Sequence, residues 1–231
     1  MALAKCLLVS LLCASCLPAS ARARQPAAQT TGPQAKQEAP PAKKNARPEG
    51  AQPAAAEPFD RATPAEMSKQ CVTLDTEAGA ILVEMLAEAA PESARNFLNL
   101  AALGFFDTTT FSRVVKDFVV QGGNVATRET LTQELIRRAS RKVPDEPNPV
   151  KHVRGVVSLA RPSEPDSATS HFFILLEDAP HLDGTFAAFG RVREGMAVVD
   201  KIAAGELEGE KPKNPVRIRR FTVAPCPAPL Q

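Results

Sequence analysis

The chain has 231 residues, 44% hydrophobic and 23% charged with a formal net charge of +2, the composition of a globular protein with one sizeable core and some extra length. Charge is unevenly divided: Lys5 and the six basic residues of segment 22–57 leave 21 of the 28 Lys and Arg, but 23 of the 26 Asp and Glu, in the rest of the chain. That remainder is slightly acidic, which argues against nucleic acid as its partner, because binding through phosphates needs a concentrated basic face.

The first stretch, "MALAKCLLVSLLCASCLPASARA", has Lys5, an apolar run from Cys6 to Leu17 and small residues before Ala21 and Ala23. The run is too short to span a bilayer of about 30 Å, and the pattern reads as a secretory signal over 1–23, with no transmembrane helix left in the mature protein. A lipid anchor at Cys16 is the lesser reading, since Cys13 stands where a leucine-like residue is expected. From Pro18 to Pro58 there is no Leu, Ile, Val, Phe or Met, so the segment has too little apolar surface to offset its ordering entropy. Residues 24–66 are therefore expected to be a disordered Ala/Pro-rich linker, and 67–231 the folded domain. Location follows as periplasmic or secreted.

In the folded region "CVTLDTEAGAILVEML" reads as two alternating strands around a turn, and "APESARNFLNLAALG" as a helix that starts at Pro91, buries Ala94, Phe97, Leu98 and Ala101, and stops at Gly104. Short strand-like runs follow at 110–115, 117–121, 155–160, 171–176 and 186–192, then a helix at 195–203 and a last strand over 216–223. Residues 124–150, with a short helix in "TLTQELIRRA" and the proline-rich "VPDEPNPV", read as an exposed excursion. Many short strands and two helices predict a mainly β fold, a closed eight-stranded antiparallel barrel capped by two α-helices. Cys71 and Cys226 bracket this region. In an oxidising compartment such a pair fits a disulfide, with two unrelated thiols as the alternative.

The stretch "FSRVVKDFVVQGGN" sets the charge of Arg113 and the amide of Gln121 inside an otherwise core-like run. Together with "RGVVSLAR", "SATSHFFILLEDAPHLDGTFAAFGRVREGMAVVDKI" and "APESARNFLNLAALGFFDTTTF", it resembles the cyclophilin-type peptidyl-prolyl cis-trans isomerases, specifically their bacterial periplasmic branch, from about Val72 to Cys226. The resemblance implies an eight-stranded barrel with the active groove outside one sheet face, and terminal strands that pair, which favours the Cys71–Cys226 bridge. It implies a monomeric, cofactor-free enzyme acting on proline-containing unfolded or extended polypeptides of exported proteins.

By the same resemblance Arg113 is the catalytic residue, Phe118, Val119, Phe173, Leu182 and Phe186 form the proline pocket, and Gln121 and the backbone around Ala160 hold the peptide. This chain departs from its relatives at three pocket positions and at the residue beside the arginine. Phe186 stands where many have histidine, Val119 where methionine is usual, His171 where glutamine is common, and Ser112 where histidine usually precedes the arginine. His181, where tight cyclosporin binders have tryptophan, implies weak affinity for that drug. A binding module that keeps the groove but turns over poorly is the alternative from another class.

Other chemistries fare worse. Ser170 and His171 are adjacent in an alternating run and point to opposite faces, and the chain has no G-x-S-x-G elbow. His152, His171 and His181 lack paired-ligand spacing, so no metal is expected. Gly122 and Gly123 have no phosphate-loop spacing and read as a strand-end bend; Phe189 reads as core.

Overall fold

The computed structural model describes residues 56–228. The expected signal segment, Cys16 and the linker as far as residue 55 lie outside the described residues. Residues 57–66, which composition assigns to the linker, are part of the folded unit. Thr63 and Glu66 form a reciprocal capping box that starts helix α1 (Pro64–Met67). Arg95 donates to the carbonyls of Phe59 and Ala62, and Arg138 forks onto the Glu57 carboxylate with both side chains almost buried.

Eight strands make one antiparallel sheet: β1 (Gln70–Thr76), β2 (Gly79–Met85), β3 (Arg113–Val115), β4 (Val119–Gly122), β5 (Val156–Leu159), β6 (Phe172–Leu175), β7 (Ala188–Glu194) and β10 (Ile218–Pro225). A separate hairpin, β8 (Leu207–Glu208) and β9 (Lys211–Pro212), lies between the last helix and β10. The sheet order is β10-β1-β2-β7-β5-β6-β4-β3. Helix α2 (Pro91–Ala102) buries the face expected of it, with Ala94, Phe97, Leu98 and Ala101 at most 1% exposed. Phe97 meets Phe172 at 5.3 Å and Phe189 at 4.9 Å between ring centroids, at the centre of the core. Helix α4 (Met196–Ala203) matches the second expected helix, and α3 (Gln133–Ala139) forms inside the excursion behind a Thr132 cap.

The sheet is an open half-barrel rather than the closed barrel expected. Its edge strands β3 and β10 share no ladder, and the chain beside them meets only at the single bridge Thr110 to Arg217. One local fact bears on the seam: the Val114 N–H, on the free edge of β3, is already taken by the Glu210 carbonyl at 2.8 Å.

At the opposite edge β1 and β10 pair from Gln70 with Pro225 onward. This brings Cys71 and Cys226 to a Cα–Cα distance of 4.8 Å, and they form a disulfide. The excursion is pinned to the domain as well. Glu146 accepts from the Glu92 and Ser93 amides at 2.9 and 2.7 Å, capping α2 where Ala90 offers no side chain.

Strands β5 and β6 are buried on both faces, which decides where the site lies. Val157, Leu159, Phe172 and Ile174 point into the main core, while Val156, Phe173 and Leu175 form a second apolar cluster on the outer face with Val119, Leu182 and Ala188.

Candidate active site

Alternation along short strands aligns the outer-face residues in rows. Arg113 on β3 is opposite Gln121 on β4, Gln121 opposite Phe173 on β6, and Phe173 opposite Ser158 on β5. One step along, Val115, Val119 and Leu175 form a parallel apolar row. Above these rows lies the turn around Pro180–Leu182 and the segment to Phe186. The result is a cavity of about 140 Å³ lined by Arg113, Phe118, Val119, Gln121, Ala160, Phe173, Leu182, Phe186 and Arg161. Phe173 and Phe186 meet edge to face at 6.0 Å, and Val119 is 1% exposed.

Arg113 is held at two points. Its Nε donates to Glu210 Oε2 at 2.7 Å and one terminal nitrogen to Gln121 Oε1 at 3.2 Å. Gln121 turns its amide nitrogen toward His171 Nδ1 at 3.4 Å, so arginine, amide and imidazole form one polarised row. Burial holds the His171 ring below the ordinary histidine range, consistent with a neutral ring that accepts from Gln121. The Ala160 N–H is taken by the His171 carbonyl at 2.9 Å, so Ala160 has its own carbonyl to offer a peptide.

Eight of the ten pocket and catalytic residues expected from the sequence therefore line one cavity. His171 instead borders a neighbouring cavity of about 320 Å³ beside α3. His181 stands at the rim, its ring 5.5 Å from Phe118. Sequence reasoning missed Glu210, which reaches Arg113 across 97 residues of chain with no local signal. It also missed Arg161, whose position directly after Ala160 was the available clue.

Beneath the wall lies a buried polar cluster. The His152 ring is 3.0 Å from Ser158 Oγ and 3.3 Å from Asp183 Oδ1, and Asp183 also accepts from the His152 amide at 2.8 Å. Burial lowers the affinity of His152 for protons, with Asp183 opposing. Ser158 is fully buried, so this Ser-His-Asp set cannot present a nucleophile; it ties the segment carrying Leu182 to strand β5. Ser170 donates to the Gly123 carbonyl at 2.9 Å. Among the described residues no group of three or more His, Cys, Asp or Glu is placed to hold a metal.

Comparison with known proteins agrees with this geometry. The family model "Cyclophilin type peptidyl-prolyl cis-trans isomerase/CLD" matches residues 71–223. Peptidyl-prolyl cis-trans isomerase cypE of Dictyostelium discoideum is 37% identical over 158 residues, covering 68% of this chain and 99% of its own. A peptidyl-prolyl cis-trans isomerase of Acinetobacter baylyi is 36% identical over 164 residues, covering 66% and 84%. The crystal structure of a Cryptosporidium parvum cyclophilin-type isomerase, determined in the presence of the dipeptide Ala-Pro, matches with a TM-score of 0.59 at 26% identity, over 67% of this chain and 98% of that one. The chain belongs to the cyclophilin-type peptidyl-prolyl cis-trans isomerase family.

Proposed function

We propose that this isomerase turns X-Pro bonds in incompletely folded polypeptides outside the cytoplasm, with Arg113 as its catalytic residue. The carrying observation is a guanidinium fixed at two points on the rim of an apolar notch floored by Val119 and Phe173.

The chemistry needs both parts. Rotation about X-Pro breaks amide resonance and crosses a barrier of about 18–20 kcal/mol. In the twisted state the prolyl nitrogen regains a lone pair, to which a permanently protonated guanidinium donates without acid–base cycling. The notch between Phe173, Phe186, Leu182 and Phe118 grips the ring, while Gln121 and the Ala160 carbonyl hold the flanking peptide. A site shaped for the twisted bond rather than either planar form lowers the barrier by differential binding. No cofactor takes part in this scheme, and the unit acts as a monomer. His181 in place of a large indole at the rim supports weak cyclosporin affinity.

A periplasmic or secreted location is supported by the signal-like residues 1–23 and by the Cys71–Cys226 bridge, a bond that persists in oxidising compartments. The mass of the chain purified from its source cell checks this: cleavage near Ala23 supports export, and an intact N-terminus in the cytosolic fraction refutes it.

The activity is tested with a peptide carrying a central cis Ala-Pro bond. Acceleration by the purified protein, with most of it lost in Arg113→Ala while peptide affinity persists, supports the reading. Binding without acceleration supports the module reading instead.

A further inference from the structure

Arg161 shares the notch with the proposed catalytic apparatus but has no part in it so far. Its side chain is 16% exposed, and its nitrogens face acceptors on its own turn and on two other segments. Nε faces Asp145 Oδ1 at 3.2 Å, one terminal nitrogen donates to the Pro162 carbonyl at 3.1 Å, and the other to the Thr185 carbonyl at 3.2 Å. The guanidinium lies 5.0 Å from the centre of the Phe186 ring. A planar fork is the one cationic side chain able to satisfy such divergent acceptors while stacking on an aromatic face.

Asp145 does not line the notch. It belongs to the excursion motif "VPDEPNPV", next to the Glu146 that caps α2, and is itself held in place. Its N–H donates to Asp166 Oδ1 at 2.7 Å, and the next residue, Glu146, is bonded to the first turn of α2. The carboxylate is 22% exposed and faces an equally sheltered partner, so solvent screens the pair less than an ordinary surface contact.

We propose that Arg161, anchored by Asp145, is a positioning residue that sets the placement of Phe186 and thereby the width of the proline notch. The excursion of residues 124–150 then acts as a strap: Val150 packs on the outer-face cluster, the Asp145 ion pair braces the Phe186 side of the wall, and the strap touches no substrate itself. This rests on the reading of the notch as the proline site.

The distinguishing readout is a split between KM and kcat in the purified protein with the Ala-Pro peptide. A looser wall weakens the planar and twisted forms alike, so KM rises while kcat holds. Asp145→Asn is expected to raise KM about threefold and Arg161→Met about tenfold, the scale of losing a sheltered cation–aromatic contact. Arg161→Lys, which keeps charge but not the fork, should not restore KM. Because Asp145 acts only through Arg161, the double variant should be no worse than Arg161→Met alone.

Unchanged KM in Asp145→Asn, additive effects in the double variant, or rescue by lysine would each overturn the proposal. If Arg161→Met does not fold, peptide affinity of Asp145→Asn, measured by titration of the Phe186 ring resonances, decides alone. Failure of the site reading looks different: Arg113→Ala would then keep its rate. Loss of rate in Arg113→Ala with normal KM in Asp145→Asn rejects the strap only.

Discussion

Replacing Arg113 with alanine separates catalysis from stability. In the folded protein this side chain is 40% exposed and its charged partner Glu210 is 57% exposed. An ion pair so open to solvent contributes at most about 1 kcal/mol, so the variant should melt within a few degrees of the parent. The rate is another matter. On the proposed mechanism the guanidinium makes a charge-assisted bond in the twisted state worth about 1.5–3 kcal/mol, so losing it should lower kcat by roughly ten- to a hundredfold. KM should change little, because the apolar notch is intact. Arg113→Lys should fall between, since an ammonium can hold Glu210 or Gln121 but not fork onto both. Exchange between cis and trans signals of a saturating Ala-Pro peptide measures kcat directly by NMR. The chain has neither Trp nor Tyr, so a tryptophan-labelled peptide can also be followed by fluorescence without background. A kcat in Arg113→Ala within about twofold of the parent, at unchanged melting temperature, would refute the assignment.

Three further outcomes are expected. The Cys71–Cys226 bridge closes a loop of 155 residues, for which chain entropy gives about 5 kcal/mol, so Cys71→Ser with Cys226→Ser should lower the calorimetric melting point sharply; an unchanged melt would show that paired strands β1 and β10 need no bridge. Burial disfavours the protonated forms of His171 and His152, so the folded protein binds fewer protons than the unfolded chain once the pH drops below about 6.5. Their contribution is present above that pH and lost as the pH falls toward the folded values. Urea midpoints from pH 8 to 5 should therefore decline, less steeply in His171→Gln, and a rise would contradict the sign. Gly123 has φ +83° and a Cβ there would lie 2.2 Å from the Ser170 carbonyl oxygen, so Gly123→Ala should cost at least about 2 kcal/mol in a thermal melt.

What could be read from the sequence was whatever local periodicity encodes. The alternating hairpin and the buried stripe of α2 follow from spacing, and the structure buries Ile81, Val83 and Met85 on one face of β2; Phe189, read as core, is buried as well. The outer-face row was readable only through resemblance, because Arg113, Gln121 and Phe173 come from three strands whose register no single segment declares. Thr63-Pro-Ala-Glu66 was a legible capping box that the surrounding Ala/Pro composition hid, and it marks an ordered start before residue 67. Openness was not legible. It depends on which distant carbonyl reaches the Val114 amide first, and the winner, Glu210, lies almost a hundred residues away. Glu210 was missed for the same reason, its partner being supplied only by the tertiary fold, whereas Arg161 had a clue in its place after Ala160 but its contacts with Asp145 and Thr185 did not show in the sequence.

The carboxylate of Glu146 at the start of α2 has a consequence for how the chain acquires its shape. Most helices carry their own start signal, so they can flicker into being before anything else has docked. Here the first-turn amides of Glu92 and Ser93 wait for a group more than fifty residues downstream. Completion of that turn and landing of the downstream segment are thus a single cooperative event with a large loop-closure cost. Deuterium uptake at the two places should accelerate in step when Glu146 is replaced by alanine.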